Sequence, residues 1–298
     1  MNKIRWGIIG PGSIAHNFAD ALEQSYSGEL LAIASRTSSR LEEFGNKYNI
    51  NEIYRFNDYD KLLDDENIDA VYISTPHVFH ADLSIKAAGK GKHILCEKPG
   101  AVNFKQTSKV IEKVKEAGVF YKEGFMYRCH PQIPALINLI KNKSIGNVNL
   151  ISSSFGFDMQ KVIPDHRLFN KSLAGGSILD VGLYPVSFSR MVAGVALGKK
   201  FINPTSISAE GRIGDTGVDE LASAKLFFEN NITAEISTSI MQNMDNKGEA
   251  GGKSIFGASK SELSSMETND EKSLNLTEEI EKHGGEMNFD EILKMHGM

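Results

Sequence analysis

A glycine-rich turn near the start of the chain constrains the fold more than any other feature. The turn, residues 10–15 (GPGSIA), follows the apolar run 6–9 and opens a helical pattern. Gly10 permits the tight turn, Gly12 lets the backbone approach a pyrophosphate, and Ala15 permits close packing of helix on strand. Amide groups at the helix start would bind the phosphate charge. We expect a dinucleotide to contact four residues here: Gly10, Gly12, Ser13 and Ile14.

Strand-like and helix-like segments alternate over the first 123 residues. Short apolar runs occur at 5–9, 30–35, 70–74, 93–96 and 119–121, and helix-like stretches lie at 14–24, 38–48, 78–89 and 105–117. Such alternation predicts βαβ units around a parallel sheet. We therefore assign residues 1–124 to a dinucleotide-binding Rossmann domain, an α/β fold with a doubly wound sheet.

The second half of the chain has a different pattern of apolar and polar residues. Longer segments with polar alternation occur at 148–157, 205–212, 221–228 and 232–240, with a hairpin signal at 229–231 (ENN) and one helix near 187–193. This pattern predicts an α+β domain whose open antiparallel sheet packs one face and leaves the other free. We assign residues 125–298 to this substrate-binding domain.

The last 38 residues, 261–298, carry ten acidic and three basic residues. An acidic segment with few apolar residues is typical of a flexible tail, although a marginal helical end is also compatible with it. A truncated end and a genuinely divergent end would give the same pattern, so both alternatives remain open.

Composition excludes several classes of function. The net charge of −5 and pI near 5.9 argue against a nucleic-acid partner. There is no run of about 18 apolar residues, so we expect no membrane span. Two cysteines, Cys96 and Cys129, cannot form a disulfide framework and fit a reducing cytoplasm. We predict no metal site.

The end of the second predicted strand indicates which cofactor is used. An NAD enzyme usually places an acidic residue there to bind the ribose hydroxyls. This chain has Ser35 and Arg36 instead, with Arg40 one helical turn later. A hydroxyl and two cations suit a 2′-phosphate through charge-assisted hydrogen bonds, which favours NADP over NAD. The alternative is that both arginines are solvated residues at a helix start.

Three polar clusters follow predicted parallel strands, at 74–77 (STPH), 96–100 (CEKPG) and 123–128 (EGFMYR). Ligands of open α/β sheets bind at the carboxyl ends of the strands. We expect further cofactor contacts from five residues in or near these clusters: Thr75, Pro76, His80, Glu97 and Lys98. A lysine there can supply a cation or take part in proton transfer.

A later segment, 175–185 (GGSILDVGLYP), adds a candidate acid and a candidate phenol. If the segment is helical, Asp180 and Tyr184 are four residues apart and share a face. Pro185 makes a kink or a helix boundary expected at this point.

Together these motifs resemble the Gfo/Idh/MocA oxidoreductases, over residues 3 to about 240. The stretches that carry the resemblance are GIIGPGSIA, STPHVFHADLSIKAAGKGKHILCEKP, GFMYRCHPQ and RLFNKSLAGGSILDVGLYPV. The resemblance implies a nicotinamide-dependent dehydrogenase of a sugar or cyclic polyol. It also implies a homodimer through the open sheet and, in many relatives, a cis Lys98–Pro99 bond. With tyrosine at position 184, the chain resembles the branch of the family that includes NADP-dependent D-xylose dehydrogenase and dihydrodiol dehydrogenase.

The resemblance also implies roles for individual residues. Lys98 would orient the reacting hydroxyl and bridge it to the cofactor ribose. Asp180 would hold the substrate or tune its neighbour, and Tyr184 would be the acid/base. Weaker candidates for the substrate pocket are Phe155, His166 and Arg167.

Three functions remain open on this basis. The first is an NADP-dependent dehydrogenase of aldoses such as D-xylose or glucose, and the second is a dehydrogenase of trans-dihydrodiols or cyclic polyols. The third is a regulatory protein that binds the cofactor without turnover.

Overall fold

The computed structural model describes residues 3–250 and 253–254. Within this range the chain divides between Phe125 and Met126 into two units with separate internal packing. The acidic tail expected at 261–298 lies outside the described residues.

The first unit is a six-stranded parallel sheet with intervening helices, in the order β3-β2-β1-β4-β5-β6. Its elements are β1 Ile4–Ile9, α1 Ser13–Glu23, β2 Gly28–Ala34, α2 Ser38–Lys47, β3 Arg55–Phe56, α3 Tyr59–Asp64, β4 Ala70–Ile73, α4 His80–Gly89, β5 His93–Cys96, α5 Phe104–Ala117 and β6 Tyr121–Glu123. This is the doubly wound order of dinucleotide-binding sheets, so the predicted fold class is confirmed.

The central strands of this sheet are buried on both faces. Ile8 packs in a cluster with Phe44 of α2, whereas its neighbour Ile9 packs in a second cluster with Leu62 of α3. A parallel sheet covered by helices on both sides needs such continuous apolar strands, as the four buried residues of β4 illustrate. The short β3 and α3 were not predicted.

The second unit contains a six-stranded mixed sheet in the order β12-β11-β7-β10-β9-β8. Its elements are α6 Gln132–Lys141, β7 Leu150–Gly156, α7 Leu183–Ala196, β8 Ser206–Ile213, β9 Asp219–Phe227, β10 Thr233–Ser239, β11 Gly248–Ala250 and β12 Lys253–Ser254. The predicted antiparallel pairing is confirmed with one exception, since β10 runs parallel to β7. The chain passes through α7 and the β8–β9 hairpin before it returns beside β7.

Alternation along β7 explains which face of this sheet is covered. Ile151, Ser153 and Phe155 are buried, and the residues between them are more exposed. Helix α7 packs against β7 and β10. The β9–β10 turn uses left-handed backbone at Asn230 and Asn231, as the asparagine pair predicts.

Helix α7 is longer than predicted and is an interior helix. By length and composition alone, the helical stretch Lys171–Ala196 could cross a membrane, but 72% of its most apolar window is buried within the fold. Burial of that kind is typical of the core helix of a globular domain. Helix α6 was not predicted.

Candidate cofactor and substrate sites

The turn between β1 and α1 lies in close contact with the residues that follow β4. Gly10 has a φ of +96°, and a Cβ there would lie 3.1 Å from Thr75 Cγ2 and 3.3 Å from the Ser74 carbonyl carbon. The Ser74 hydroxyl donates a hydrogen bond of 2.7 Å to the Gly10 carbonyl. Only glycine satisfies both the backbone angle and the close approach.

The start of α1 is suited to an anion. No side chain caps this helix end and its first turn holds no acidic residue, as far as the described residues extend. Its free amides and positive dipole end therefore remain available to a phosphate. A cavity of about 220 Å³ opens beside it, lined by Pro11, Gly12, Ser13, His16, Arg40, Glu43 and Phe44.

At the end of β2, the Ser35 hydroxyl and the Arg36 guanidinium, both predicted to bind the cofactor, have different surroundings. The Ser35 side chain is buried and exchanges hydrogen bonds of 3.1 Å with the backbone of Thr37. Arg36 is exposed, and its guanidinium lies 5.0 Å from the ring centre of Phe79 and 5.6 Å from that of Tyr59. Arg36 is thus the group at this position that remains open to a ligand.

Thr75, just after β4, carries a buried hydroxyl that lacks a hydrogen-bond partner among the described residues. Among the described residues, none offers a hydrogen bond to its Oγ1 atom. An unsatisfied buried polar group costs about 1–3 kcal/mol, so such a group beside the glycine turn is a candidate for a ligand contact. Together with the approach allowed by Gly10, this hydroxyl fits a nicotinamide cofactor at the edge of the sheet.

The turn after β5 is held by two carboxylates, that of buried Glu97 and that of half-buried Glu123. The Lys98–Pro99 bond is cis, and Lys98 is itself 6% exposed. Glu97 accepts a hydrogen bond of 2.6 Å from the Tyr72 hydroxyl and one of 3.2 Å from the Lys98 amide. Glu123 accepts one of 2.7 Å from the Gly100 amide.

The pKa of Glu123 is shifted by its surroundings. Burial raises the pKa of Glu123, the Gly100 amide opposes that rise, and the charge of Glu97 adds to it. Lys98 is therefore buried in a turn whose backbone amides on either side, those of Lys98 and Gly100, donate to carboxylates.

His80, the first residue of α4, lies behind both of these loops. It is fully buried, with Nδ1 at 2.7 Å from the Pro99 carbonyl and Nε2 at 2.6 Å from the Thr75 carbonyl. Pro76, beside Thr75, begins a short 3₁₀ turn that leads into α4.

In the second unit, Asp180 forms a buried ion pair. Arg167 Nη1 donates a hydrogen bond of 2.8 Å to Asp180 Oδ1. The Arg167 side chain is 39% exposed and that of Asp180 is 1% exposed. The pair therefore joins a buried acid to a guanidinium that still reaches solvent.

The backbone around Asp180 is a π-helical turn, Ile178–Gly182, that continues into α7. Asp180 and Tyr184 were expected to lie on one face of a regular helix. In the structure Asp180 lies in the π turn, and Tyr184 lies in the first turn of α7. The expected boundary lies at Leu183, two residues before Pro185, which occupies the first turn of α7. Proline has no amide to donate, so the helical hydrogen-bond ladder is interrupted at Pro185, directly after the π turn.

Asp219 of β9 anchors the start of this turn and was not among the predicted site residues. Its Oδ2 atom accepts hydrogen bonds of 2.8 Å from the Ser177 hydroxyl and 2.7 Å from the Ile178 amide. Gly176, with a φ of +113°, has no room for a Cβ because Asp219 Oδ1 occupies that place. The glycine pair 175–176 was the only local sign of so close an approach.

Tyr184 is buried among aromatic rings. Its ring meets that of Phe155 edge-on with centroids 5.1 Å apart, and that of Tyr127 with centroids 6.0 Å apart. The Tyr127 hydroxyl lies 2.8 Å from Ser187 Oγ, and Arg128 donates to both. Phe155 was predicted near the substrate, and Tyr127 and Arg128 belong to the polar cluster 123–128 named from the sequence, whereas Ser187 was not predicted.

His166 lies close enough to Arg167 and Asp180 to sense their charges. Burial and the charge of Arg167 lower the pKa of His166, while Asp180 raises it. A lowered value keeps this imidazole neutral at neutral pH. The predicted residues Phe155, His166, Arg167, Asp180 and Tyr184 all belong to the second unit, and Lys98 belongs to the first.

Both units match described protein families. Residues 4–125 match the Gfo/Idh/MocA "oxidoreductase family, NAD-binding Rossmann fold", and residues 134–254 match the "GFO/IDH/MocA C-terminal domain". Among curated proteins, trans-1,2-dihydrobenzene-1,2-diol dehydrogenase from Mus musculus is 34% identical over 251 residues, covering 84% of this chain and 72% of that protein. The Xenopus tropicalis enzyme of the same name is 34% identical over 245 residues, covering 82% of this chain and 71% of that protein.

Two solved structures show the same architecture. KijD10, a 3-ketoreductase from Actinomadura kijaniata described in complex with NADP, has a TM-score of 0.73 and 27% identity, covering 84% of this chain and 74% of its own. An aldose-aldose oxidoreductase from Caulobacter crescentus has a TM-score of 0.74 and 23% identity, covering 99% of this chain and 95% of its own. At that lower identity the second similarity concerns the fold alone.

Proposed function

Because this chain belongs to the Gfo/Idh/MocA oxidoreductase family, we propose that it is an NADP-dependent dehydrogenase of aldoses. The observation that carries the proposal is the buried Asp180–Arg167 pair in the turn that leads to Tyr184. A carboxylate acceptor beside a partly exposed guanidinium donor offers hydrogen bonds of both kinds to a polyhydroxylated ring. Sugar oxidoreductases need such positioning because reaction depends on a near-attack geometry.

NADP is the favoured cofactor because cations replace the expected acid after β2. Exposed Arg36, and Arg40 in the cavity beside α1, would hold the 2′-phosphate. The amides of Ser13 and Ile14 would bind the pyrophosphate beside Gly12, whose own amide donates to the Gly10 carbonyl. The Thr75 hydroxyl, which has no hydrogen-bond partner among the described residues, would bind the cofactor. When bound, the nicotinamide would accept a hydride from the substrate carbon. KijD10, described with NADP, is a relative in which this cofactor is named.

Tyr184 is proposed to take the hydroxyl proton at its Oη atom. A free phenol has a pKa near 10 and is a weak base at neutral pH, so the reaction needs a nearby cation or an alkaline optimum. Asp180 and Arg167 would hold the neighbouring hydroxyls of the ring. For Lys98, which belongs to the first unit, we propose the role of a cation at the cofactor.

A trans-dihydrodiol is the second candidate substrate, favoured by a different observation. Tyr184 packs between Phe155 and Tyr127, and apolar rings of this kind suit a carbocycle as well as a sugar. Relatives 34% identical to this chain are named as dehydrogenases of such a diol.

We also propose a cytoplasmic homodimer assembled through the sheet of the second unit. Strand β8 is exposed along its whole length, with Ile207 and Ile213 open to solvent. Exposed apolar side chains on an edge strand are a liability unless they are covered. A monomer at micromolar concentration in analytical ultracentrifugation would contradict this part of the proposal.

The test is a turnover screen of the purified chain. D-xylose, glucose, myo-inositol and the trans-dihydrodiol of benzene are each supplied with NADP or NAD, and the absorbance of the reduced cofactor is followed. We expect the highest kcat/KM with an aldose and NADP. A higher value with the dihydrodiol would select the second candidate. Cofactor binding by calorimetry without turnover on any substrate would contradict a catalytic role and support a regulatory one.

A further inference from the structure

His80 occupies a central position in the first unit that the proposed chemistry does not use. Strands β4 and β5 pair in parallel, with Ile73 opposite Cys96, so the loops that follow them leave the sheet side by side. The His80 ring lies between those loops, with one nitrogen on the carbonyl of each. Because both ring nitrogens already face backbone carbonyls, neither is open to a hydrogen bond with a ligand.

Both contacted residues are adjacent to groups assigned to the cofactor site. Thr75 carries the buried hydroxyl for which residues 3–250 offer no hydrogen-bond partner. A Cβ at Gly10 would lie 3.1 Å from the Thr75 methyl group, so this side chain also lies against the Gly10 turn. Pro99 follows Lys98 across the cis bond. Any change in the distance between the two carbonyls therefore moves the Thr75 hydroxyl relative to Lys98.

We propose that His80 is a positioning residue of the cofactor site, which holds the backbones of Thr75 and Pro99 at a fixed separation through its two ring nitrogens. This inference rests on the nicotinamide-cofactor site of the proposed function and not on the identity of the substrate. It replaces the direct cofactor contact expected for His80 from the sequence, because both ring nitrogens are engaged by the protein.

The number of carbonyls that His80 can serve depends on its protonation. A neutral imidazole has one N–H and donates to one carbonyl, whereas the imidazolium donates to both. The charged or titratable groups that face it are Glu97 and Lys98 after β5 and the ring of His77, whose centroid is 5.9 Å away.

These surroundings set the sign of the pH dependence. Burial is the largest influence and lowers the pKa of His80, against the two carbonyls and Glu97, which raise it. The second hydrogen bond therefore forms as the pH falls through this lowered pKa. Since the doubly donating form holds both loops, cofactor affinity is highest below that pKa and declines as the pH rises through it.

The experiment compares His80→Leu and His80→Gln with the wild type and with His93→Gln. His93 is an exposed histidine at the opposite end of β5, so it controls for the substitution itself. Dissociation constants for NADP and NAD are measured by calorimetry, with folding checked by circular dichroism. NAD is the probe for the pH series because the 2′-phosphate of NADP titrates near pH 6.

At neutral pH we expect His80→Leu to weaken binding of both cofactors by up to about tenfold, the equivalent of the one hydrogen bond that a neutral imidazole donates. His80→Gln, whose amide can donate to one carbonyl, should lie between Leu and wild type and should lose the pH dependence of NAD binding. His93→Gln should match the wild type in both respects.

The outcomes separate this inference from the proposed function. A folded His80→Leu protein with wild-type affinity, or a His80→Gln protein with the wild-type pH profile, overturns the positioning role alone. If His80→Leu does not fold, the pH profile of His80→Gln decides. Wild-type protein that binds neither cofactor overturns the proposed function and this inference with it.

Discussion

The guanidinium of Arg167 donates a hydrogen bond of 2.8 Å to the carboxylate of Asp180, which is one of the most deeply buried acids in the described chain. The bond ties the segment before Asn170 to the π-helical turn that leads into α7. Asp219 fixes the start of the same turn. The orientation of Asp180 is thus held from two sides, which is what positioning of a substrate hydroxyl requires.

Arg167→Ala should destabilise the second unit by removing a donor from a buried acceptor. We expect a loss of about 1–3 kcal/mol in the free energy of unfolding, towards the lower end because Arg167 is partly exposed. Urea denaturation measures it. Lys225→Ala, which breaks the exposed pair with Glu235, is the control and should change the value by about 0.5 kcal/mol or less. Equal losses in the two variants would contradict a special role for the Arg167–Asp180 pair.

Gly10→Ala should reduce cofactor affinity, whereas Gly91→Ala should not. Both glycines have positive φ, so both alanines carry a backbone cost of about 1 kcal/mol. Only at Gly10 does the added methyl group meet another segment, at Thr75 and Ser74, while nothing lies within 4 Å at Gly91. Calorimetry with NADP and thermal unfolding measure the two effects. Unchanged affinity in a folded Gly10→Ala protein would argue against pyrophosphate binding at this turn.

Arg36→Asp should shift the cofactor preference from NADP towards NAD. The change removes the exposed cation after β2 and supplies the acid that ribose hydroxyls prefer. Loss of one charge-assisted hydrogen bond, about 1.5–3 kcal/mol, corresponds to roughly a tenfold to hundredfold weaker NADP complex. Lys105→Asp makes the same change in net charge on exposed α5 and should leave the preference intact. Wild-type protein that binds NAD more tightly than NADP would refute our assignment of Arg36.

Tyr184→Phe should abolish most turnover and leave NADP binding unchanged. The variant keeps the ring and its contacts with Phe155 and Tyr127 but loses the hydroxyl assigned to proton transfer. Removal of a general base typically lowers the rate by roughly 10²–10⁴-fold. Tyr127→Phe, which removes a hydroxyl bonded to Ser187, is the matched control and should lower kcat far less. Near-normal kcat in Tyr184→Phe would remove this tyrosine from the mechanism and make His166 the next candidate.

Local patterns predicted most of the fold, and long-range contacts account for what they missed. Strand β5 lies where its apolar run predicts it, because a buried parallel strand needs such a run. The two-residue β3 exists through its pairing with β2, opposite Ile33 and Ala34, and has no periodic signal of its own. The parallel pairing of β10 with β7 likewise depends on how some eighty residues return to the sheet.

In the candidate site too, features set by local sequence were predicted, and features set by long-range contacts were not. The glycine turn and the Lys98 turn were predicted from motifs whose physics is local. The Ser35 hydroxyl was predicted to face the cofactor, but a two-residue backbone turn to Thr37 already engages it. The anchoring by Asp219 spans more than forty residues, and the two contacts of His80 depend on the approach of two separate loops. No spacing rule in a single sequence contains that information.

Transfer of hydrogen from substrate to cofactor is the central claim and can be observed directly. The best substrate from the screen is prepared with deuterium on the reacting carbon, incubated with the protein and NADP, and the reduced cofactor is analysed by mass spectrometry. We predict reduced NADP that carries the substrate's deuterium, with the label absent when Tyr184→Phe replaces the wild type over the same interval. Reduced cofactor without deuterium, or substrate consumed while the cofactor stays oxidised, would contradict the assignment of this chain as a hydride-transferring dehydrogenase.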